Sequence, residues 1–131
     1  MSELSVTGLK KAFGDIVALD GVDLSVDKGE FFALLGPSAS GKTTTLRTIC
    51  GIERADQGTV MYQGQDVTHA EVRGRDIAMV FQTFALYPHL SIFENLAYPL
   101  RQAGVTRDEI NRRVGETAEM LRLTHTLKRK P

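Results

Sequence analysis

Between Leu4 and Val26 apolar and polar residues tend to alternate: Leu4 and Val6, then Val17 and Leu19, then Val22, Leu24 and Val26. A period of two places such side chains on one face of a sheet, so the chain is predicted to open with strands. Asp27-Lys28-Gly29-Glu30 predicts a turn. Two stretches are apolar throughout, Phe31-Phe32-Ala33-Leu34-Leu35 and Ile77-Ala78-Met79-Val80-Phe81. Each is expected as a buried strand, the second covered on both faces if the sheet is parallel there. The segment from Thr43 to Cys50 predicts a helix that stops at Gly51. A polar loop over 53–58 follows, then a short strand Thr59-Val60-Met61-Tyr62 and a turn at Gln63-Gly64-Gln65-Asp66. The last third reads as helical. Ser91-Ile92-Phe93-Glu94 and Thr106-Arg107-Asp108-Glu109 have the form of capping boxes. After the second, Ile110, Val114, Ala118 (or Thr117) and Leu121 recur at helical spacing, which predicts a packing face.

Between the first apolar run and the helix lies Gly36-Pro37-Ser38-Ala39-Ser40-Gly41-Lys42-Thr43, which fits G-x-x-x-x-G-K-[ST] at every fixed position. Strand, glycine-rich loop and helix together give the pattern a mechanism. Backbone N–H groups of such a loop point inward and make a cavity for a polyphosphate. The helix adds the positive end of its dipole. Lys42 is expected to reach the terminal phosphates and the Thr43 hydroxyl to ligate Mg²⁺. Gly36 and Gly41 let the backbone turn without a Cβ in the way.

Composition narrows the class. A chain of 131 residues is one domain or part of one. Sixteen Lys and Arg balance sixteen Asp and Glu, so no overall basic field draws in nucleic acid or anionic lipid. Cys50, the one cysteine, has no internal partner and is expected as a small buried apolar residue in a reducing cytoplasm. The N-terminus lacks the pattern of a signal peptide, and no apolar run is long enough to span a bilayer. The expectation is a soluble chain that meets a membrane only through a partner. His69, His89 and His125 are scattered without ligand spacing, which argues against zinc.

Beyond the loop, further residues carry a family resemblance. They are Phe13-Gly14, Ala18-Leu19-Asp20-Gly21-Val22-Asp23-Leu24, the loop through Thr44, and Ile77-Ala78-Met79-Val80-Phe81-Gln82 with its continuation over 83–96. On these, nearly the whole chain resembles the nucleotide-binding domain of ABC transporters. It looks most like the importer branch serving sugars and related small solutes, including glycerol-phosphate and polyamine systems.

The resemblance implies an α/β fold: a RecA-like P-loop NTPase core with an N-terminal antiparallel β part and the start of a helical subdomain, incomplete at the C-terminus. Residues 1–90 would hold the β-rich part and the core, and 91–131 the helical start. ATP and Mg²⁺ are the implied cofactors. Phe13 matches the aromatic residue that stacks on adenine, which suits a flat polarisable face, and Ala18 would lie against the same base or its ribose. Gly36, Ser38, Ala39, Ser40, Gly41, Lys42, Thr43 and Thr44 would cradle the phosphates. Gln82 matches the glutamine that ligates Mg²⁺ and positions water. Residues 84–89 would face membrane permease subunits. A second ATPase subunit, identical or paired, would complete the site, and the assembly would sit on the inner face of the cell membrane. Arg73 and Arg75, a conceivable phosphate clamp, fall in a region that is usually a surface turn in this family.

Two departures are visible. Ala39 stands where most relatives have Gly, which costs on the order of 1 kcal/mol if the backbone there needs a positive φ. The signature motif, catalytic glutamate and switch histidine are not found before Pro131. The chain is therefore expected to be the N-terminal piece of a longer transport ATPase. The alternative is a truncated nucleotide-binding module that does not hydrolyse. A kinase or GTPase is disfavoured because neither a phosphoacceptor site nor an Asn-Lys-x-Asp motif is present.

Overall fold

A computed structural model describes residues 2–131. Two compact units follow one another, the first running to Met79 and the second covering Val80–Pro131.

In the first unit the alternating N-terminal pattern becomes a hairpin. Strand β1 (Ser2–Phe13) and strand β2 (Ile16–Asp27) pair antiparallel across the turn Gly14-Asp15. Strand β3 (Gln57–Tyr62) adds to the other edge of β1, and the short β4 (Gln65–Asp66) turns back on it, giving the order β2-β1-β3-β4. Leu4 stands opposite Val26 and Tyr62, and Val6 opposite Leu24 and Val60. Strict alternation would put Leu9 on the face opposite to Val6. The register instead shifts between them, so both are buried. The irregularity leaves the Gly8 N–H free to donate to Asp23 Oδ1 at 2.6 Å.

One core forms where this sheet meets helix α1 (Lys42–Ile49). Val6, Leu9, Leu19 and Val60 of the sheet pack with Ile49 of the helix and with Val67. Each such side chain contributes about 1.5–3 kcal/mol by leaving water.

Both wholly apolar runs behave otherwise than expected. Residues 31–35 form no strand, and Phe31 and Leu35 are 95% and 89% exposed. Residues 77–81 form none either, although Ile77 packs on the core. A run buried on both faces needs a neighbouring strand on each edge and a layer on each side. No described strand pairs with either segment. The predicted turn at Asp27 does form, with Glu30 N–H donating to the Asp27 carbonyl at 3.1 Å.

The second unit is helical. Helix α2 (Ile92–Gln102) opens with both halves of the predicted capping box. Glu94 N–H donates to Ser91 Oγ at 3.2 Å, and Ser91 N–H donates to Glu94 Oε2 at 2.7 Å. The next two N–H groups, of Ile92 and Phe93, donate to the carbonyls of Arg129 and Leu127. Helix α3 (Arg107–Met120) buries Ile110, Val114 and Ala118, as its spacing predicts, against a core that includes Ala97. Leu121, counted in the same stripe, is instead 53% exposed just past the helix end. The second capping box also fails, since Thr106 makes no side-chain cap bond. Its would-be partner Glu109 is drawn outward by Arg112 and Arg113, at 2.7 and 2.6 Å.

Asn95 ties α2 to the loop before it. Its Oδ1 accepts from Tyr87 N–H at 2.8 Å, and its Nδ2 donates to Tyr87 O at 3.1 Å and Ser91 O at 2.9 Å. Phe84 and Ala85 earlier in this loop both have left-handed backbones, at φ 63° and 50°.

Candidate functional site

Helix α1 begins where Gly41 turns the chain, and close packing explains the glycine. Gly41 has φ 90°, and a Cβ there would stand 2.6 Å from the Ala18 carbonyl oxygen and 2.9 Å from Leu19 Cδ2. The start of α1 is thus pressed directly on β2. The first turn of α1 carries no acidic side chain. Its N–H groups have no intrahelical acceptor, and the positive end of the dipole is uncompensated.

This contact creates a cleft of about 280 Å³. Phe13 and Ala18 contribute from the hairpin, Ala39, Ser40 and Gly41 from the loop, and Lys42, Thr43 and Thr44 from the first turn of the helix. Residues far apart in sequence are brought to one place. Phe13 is 47% exposed, so much of the ring remains open to a flat partner. Gly36 and Ser38 lie outside the lining. Gly36 still takes part, because its carbonyl accepts from Lys42 Nζ at 2.8 Å. The same ammonium donates to the Pro37 carbonyl and to Ser40 Oγ at 3.1 Å, which makes Lys42 the centre of the loop.

The threonines of α1 divide their work. Thr45 and Thr48 are both 2% exposed, and their hydroxyls donate back to the carbonyls of Gly41 and Thr44. Thr43 lines the cleft. Ala39 has φ 62°, so the left-handed backbone considered for this position is the one it adopts.

Sequence reasoning missed Ile16 and Val17, which complete the cleft wall at 71% and 65% exposure. Their signal was the hairpin register, which pairs Phe13 with Ile16 and Ala12 with Val17. Arg75 requires a correction as well. It is no surface turn residue: it is 2% exposed and closes the far end of α1. Nη1 donates to the carbonyls of Thr48 and Ile49 at 3.0 and 2.7 Å, while Nη2 reaches Thr68 O and Ala70 O at 3.0 Å each. Beside it, Cys50 is buried, and loss of water pushes its thiol pKa up, an effect that nearby Arg75 partly opposes.

Lys42 and Thr43 also line a larger cleft of about 610 Å³, shared with Phe31, Phe32, Leu34, Leu46 and Ile49. Its walls are mainly apolar and suit packing better than phosphate. In the second unit Gln82 is exposed, and Tyr87 contacts Tyr98 at 4.9 Å and His89 at 6.0 Å between ring centroids. Among the described residues no group of three His, Cys, Asp or Glu could hold a metal, and no helix is long and apolar enough to cross a membrane.

Known proteins match this arrangement. The sequence profile of the family described as ABC transporter matches residues 19–131. The sn-glycerol-3-phosphate import ATP-binding protein UgpC 3 of Rhizobium johnstonii is 47% identical over 131 residues, all of this chain and 38% of its own length. The spermidine/putrescine import ATP-binding protein PotA of Rubrobacter xylanophilus is 47% identical over 121 residues, 92% of this chain and 32% of its own. The chain thus spans between 32% and 38% of the length of these curated relatives. A solved ATP-binding cassette of an ABC transporter superposes with a TM-score of 0.84 at 31% identity, covering 99% of this chain and 58% of that one. A nucleotide-free ATP-binding cassette does so with a TM-score of 0.83 at 30% identity. An antiparallel sheet, a phosphate-type loop opening a helix, and these similarities over the whole chain have one common reading: the chain belongs to the ABC transporter family.

Proposed function

We propose that this chain supplies the ATP-holding part of a transport ATPase that drives uptake of a small solute through membrane permease subunits. One observation carries the reading: Phe13 and Ala18 share a single cleft with Ser40, Gly41, Lys42, Thr43 and Thr44 at the open end of α1. Adenine would stack on Phe13, with Ala18 beside the base or ribose. The phosphates would lie against the N–H groups of the loop and first helical turn, with Gly36, Ser38 and Ala39 shaping the backbone. Phosphate oxygens carry full charge and accept hydrogen bonds better than carbonyls do. Lys42 would accordingly exchange its contacts with Gly36, Pro37 and Ser40 for the terminal phosphates.

A hydroxyl and an amide oxygen are the kind of donors Mg²⁺ takes, since it keeps several waters and binds one or two protein ligands together with substrate phosphates. Thr43 and Gln82 are the residues that would hold it, and the ion would supply neutralisation of the charge that develops during phosphoryl transfer. Gln82 would also orient the attacking water. Residues 84–89 would meet the permease, and a second copy or a paired ATPase subunit would close the nucleotide site. Residues 1–90 then form the nucleotide-binding part and 91–131 the start of a helical subdomain, at the inner face of the membrane. The transported solute is proposed to be a sugar or a related small molecule. Named relatives import glycerol-3-phosphate or polyamines, which supports the importer assignment.

Titration calorimetry with ATP and Mg²⁺ tests the site. Wild type should bind and Lys42→Ala should not; tight binding by the variant would refute the assignment. Phosphate release in the same samples separates hydrolysis from simple holding of nucleotide.

A further inference from the structure

Over the Phe13 ring stands a cation. Lys11 Nζ lies 5.2 Å from the ring centroid, yet Lys11 is not part of the cleft wall. Its side chain is only 14% exposed, and the amine also pairs with Asp56 Oδ1 at 3.3 Å. The other Asp56 oxygen accepts from the Ala12 N–H at 2.7 Å, and the Asp56 N–H donates to the Lys10 carbonyl at 2.9 Å. Residues 10, 11 and 12, which immediately precede the aromatic ring, are thus all bound to one aspartate.

That aspartate lies at the end of the short loop that leaves the phosphate-loop helix. Ile52 and Glu53 donate their N–H groups back to the Arg47 carbonyl at 2.9 and 3.2 Å, and Glu53 pairs with the Arg47 side chain at 3.2 Å. Residues 52 and 53 are thus fastened to α1, and three residues further along the chain Asp56 is fastened to the end of β1. The Ala12 N–H and Lys11 hold the Asp56 carboxyl below its usual pKa, so it keeps its charge at neutral pH.

We propose that Lys11 and Asp56 are positioning residues for the base: they fix the Phe13 ring against the frame that carries the phosphate loop. The inference rests on the nucleotide reading above and goes beyond it, since neither residue touches the cleft. A ring held in place before binding loses less rotamer freedom when a base stacks on it. Affinity for the adenine moiety should depend on Lys11 and Asp56, whereas affinity for the phosphates should not.

The test uses the full chain and two probes, ATP and inorganic tripolyphosphate, titrated by calorimetry with Mg²⁺. The ordering cost of a single side chain predicts that Lys11→Met and Asp56→Asn each weaken ATP binding roughly 2- to 5-fold. Tripolyphosphate binding should stay at the wild-type value. Lys11→Arg should retain ATP affinity, because a guanidinium can both cover the ring and pair with Asp56. If Asp56→Asn lowers the melting temperature, Lys11→Met carries the test, since its stem preserves the packing. Parallel losses for both probes in Lys11→Met, or no loss of ATP affinity, would overturn the proposal. Wild type binding ATP no better than tripolyphosphate would also sink it while leaving the phosphate site standing. Wild type binding neither probe would instead remove the nucleotide reading itself, and the proposal with it.

Discussion

Arg75 donates to the carbonyl of Ile49 at 2.7 Å across a sequence separation of 26 residues, so a distant side chain caps the helix whose other end forms the candidate phosphate site. The same guanidinium serves Thr48, Thr68 and Ala70. Burial lowers its pKa, but an arginine keeps its charge throughout the working range. Arg75→Ala leaves several buried carbonyls without a donor and should cost about 3 kcal/mol or more in urea unfolding. A cost under about 1 kcal/mol would show that water replaces the guanidinium freely.

Gly51 is the neighbour that makes room for this cap. It has φ 79°, and a Cβ there would come within 2.6 Å of Arg75 Nε. Gly51→Ala combines left-handed strain of about 1–2 kcal/mol with displacement of the guanidinium. In a double-mutant cycle with Arg75→Ala the two losses should be strongly non-additive. Additive losses would mean the two positions act separately.

Ala39 offers the opposite experiment, because its φ of 62° is one that a β-carbon resists. Ala39→Gly should stabilise the protein by about 0.5–1 kcal/mol once the greater freedom of glycine in the unfolded chain is discounted. Thermal unfolding reads the gain, and calorimetry with ATP should show equal or tighter binding. Weaker binding would count against the loop geometry.

The two helix starts of the second unit should respond differently. Ser91 bonds the Glu94 N–H, so Ser91→Ala should cost about 1 kcal/mol. Thr106 makes no such bond, so Thr106→Ala should stay within about 0.5 kcal/mol. Equal costs in denaturant titration would refute the distinction.

Glu109 sets a pH dependence. Hydrogen bonds from Arg112, then Arg113, bring its carboxyl down to about 2 from an ordinary 4.5. A depressed carboxyl contributes stability that is full above its unfolded pKa and is lost as pH falls through the folded one. The ellipticity of α3 should therefore weaken from about pH 4.5 down to 2, and Glu109→Gln should remove this component. A carboxyl titration near 4.5, followed by NMR, would show that the arginines do not hold it.

Local patterns were legible where local contacts decide. Alternation from Leu4 to Val26 needs only a neighbouring strand, and the hairpin provides one. The loop pattern likewise marked a turn into a helix at Gly41, and α1 does begin there. Residues 31–35 and 77–81 read as strands because they are apolar, but a strand also needs partners, and no described strand pairs with them. Thr106 matched a cap pattern, yet two arginines within one helical turn competed for Glu109. Arg75 was hardest to foresee, since nothing near it in sequence announces four carbonyls gathered by the fold.

The amide of Asn95 has a mechanical consequence. It grips Tyr87 through both N–H and C=O while remaining part of α2, and the Tyr87 ring leans on Tyr98 of the same helix. Tyr87 is thus tied to α2 at its backbone and at its ring. A shift of Tyr87 would have to break these bonds or carry α2 along with it.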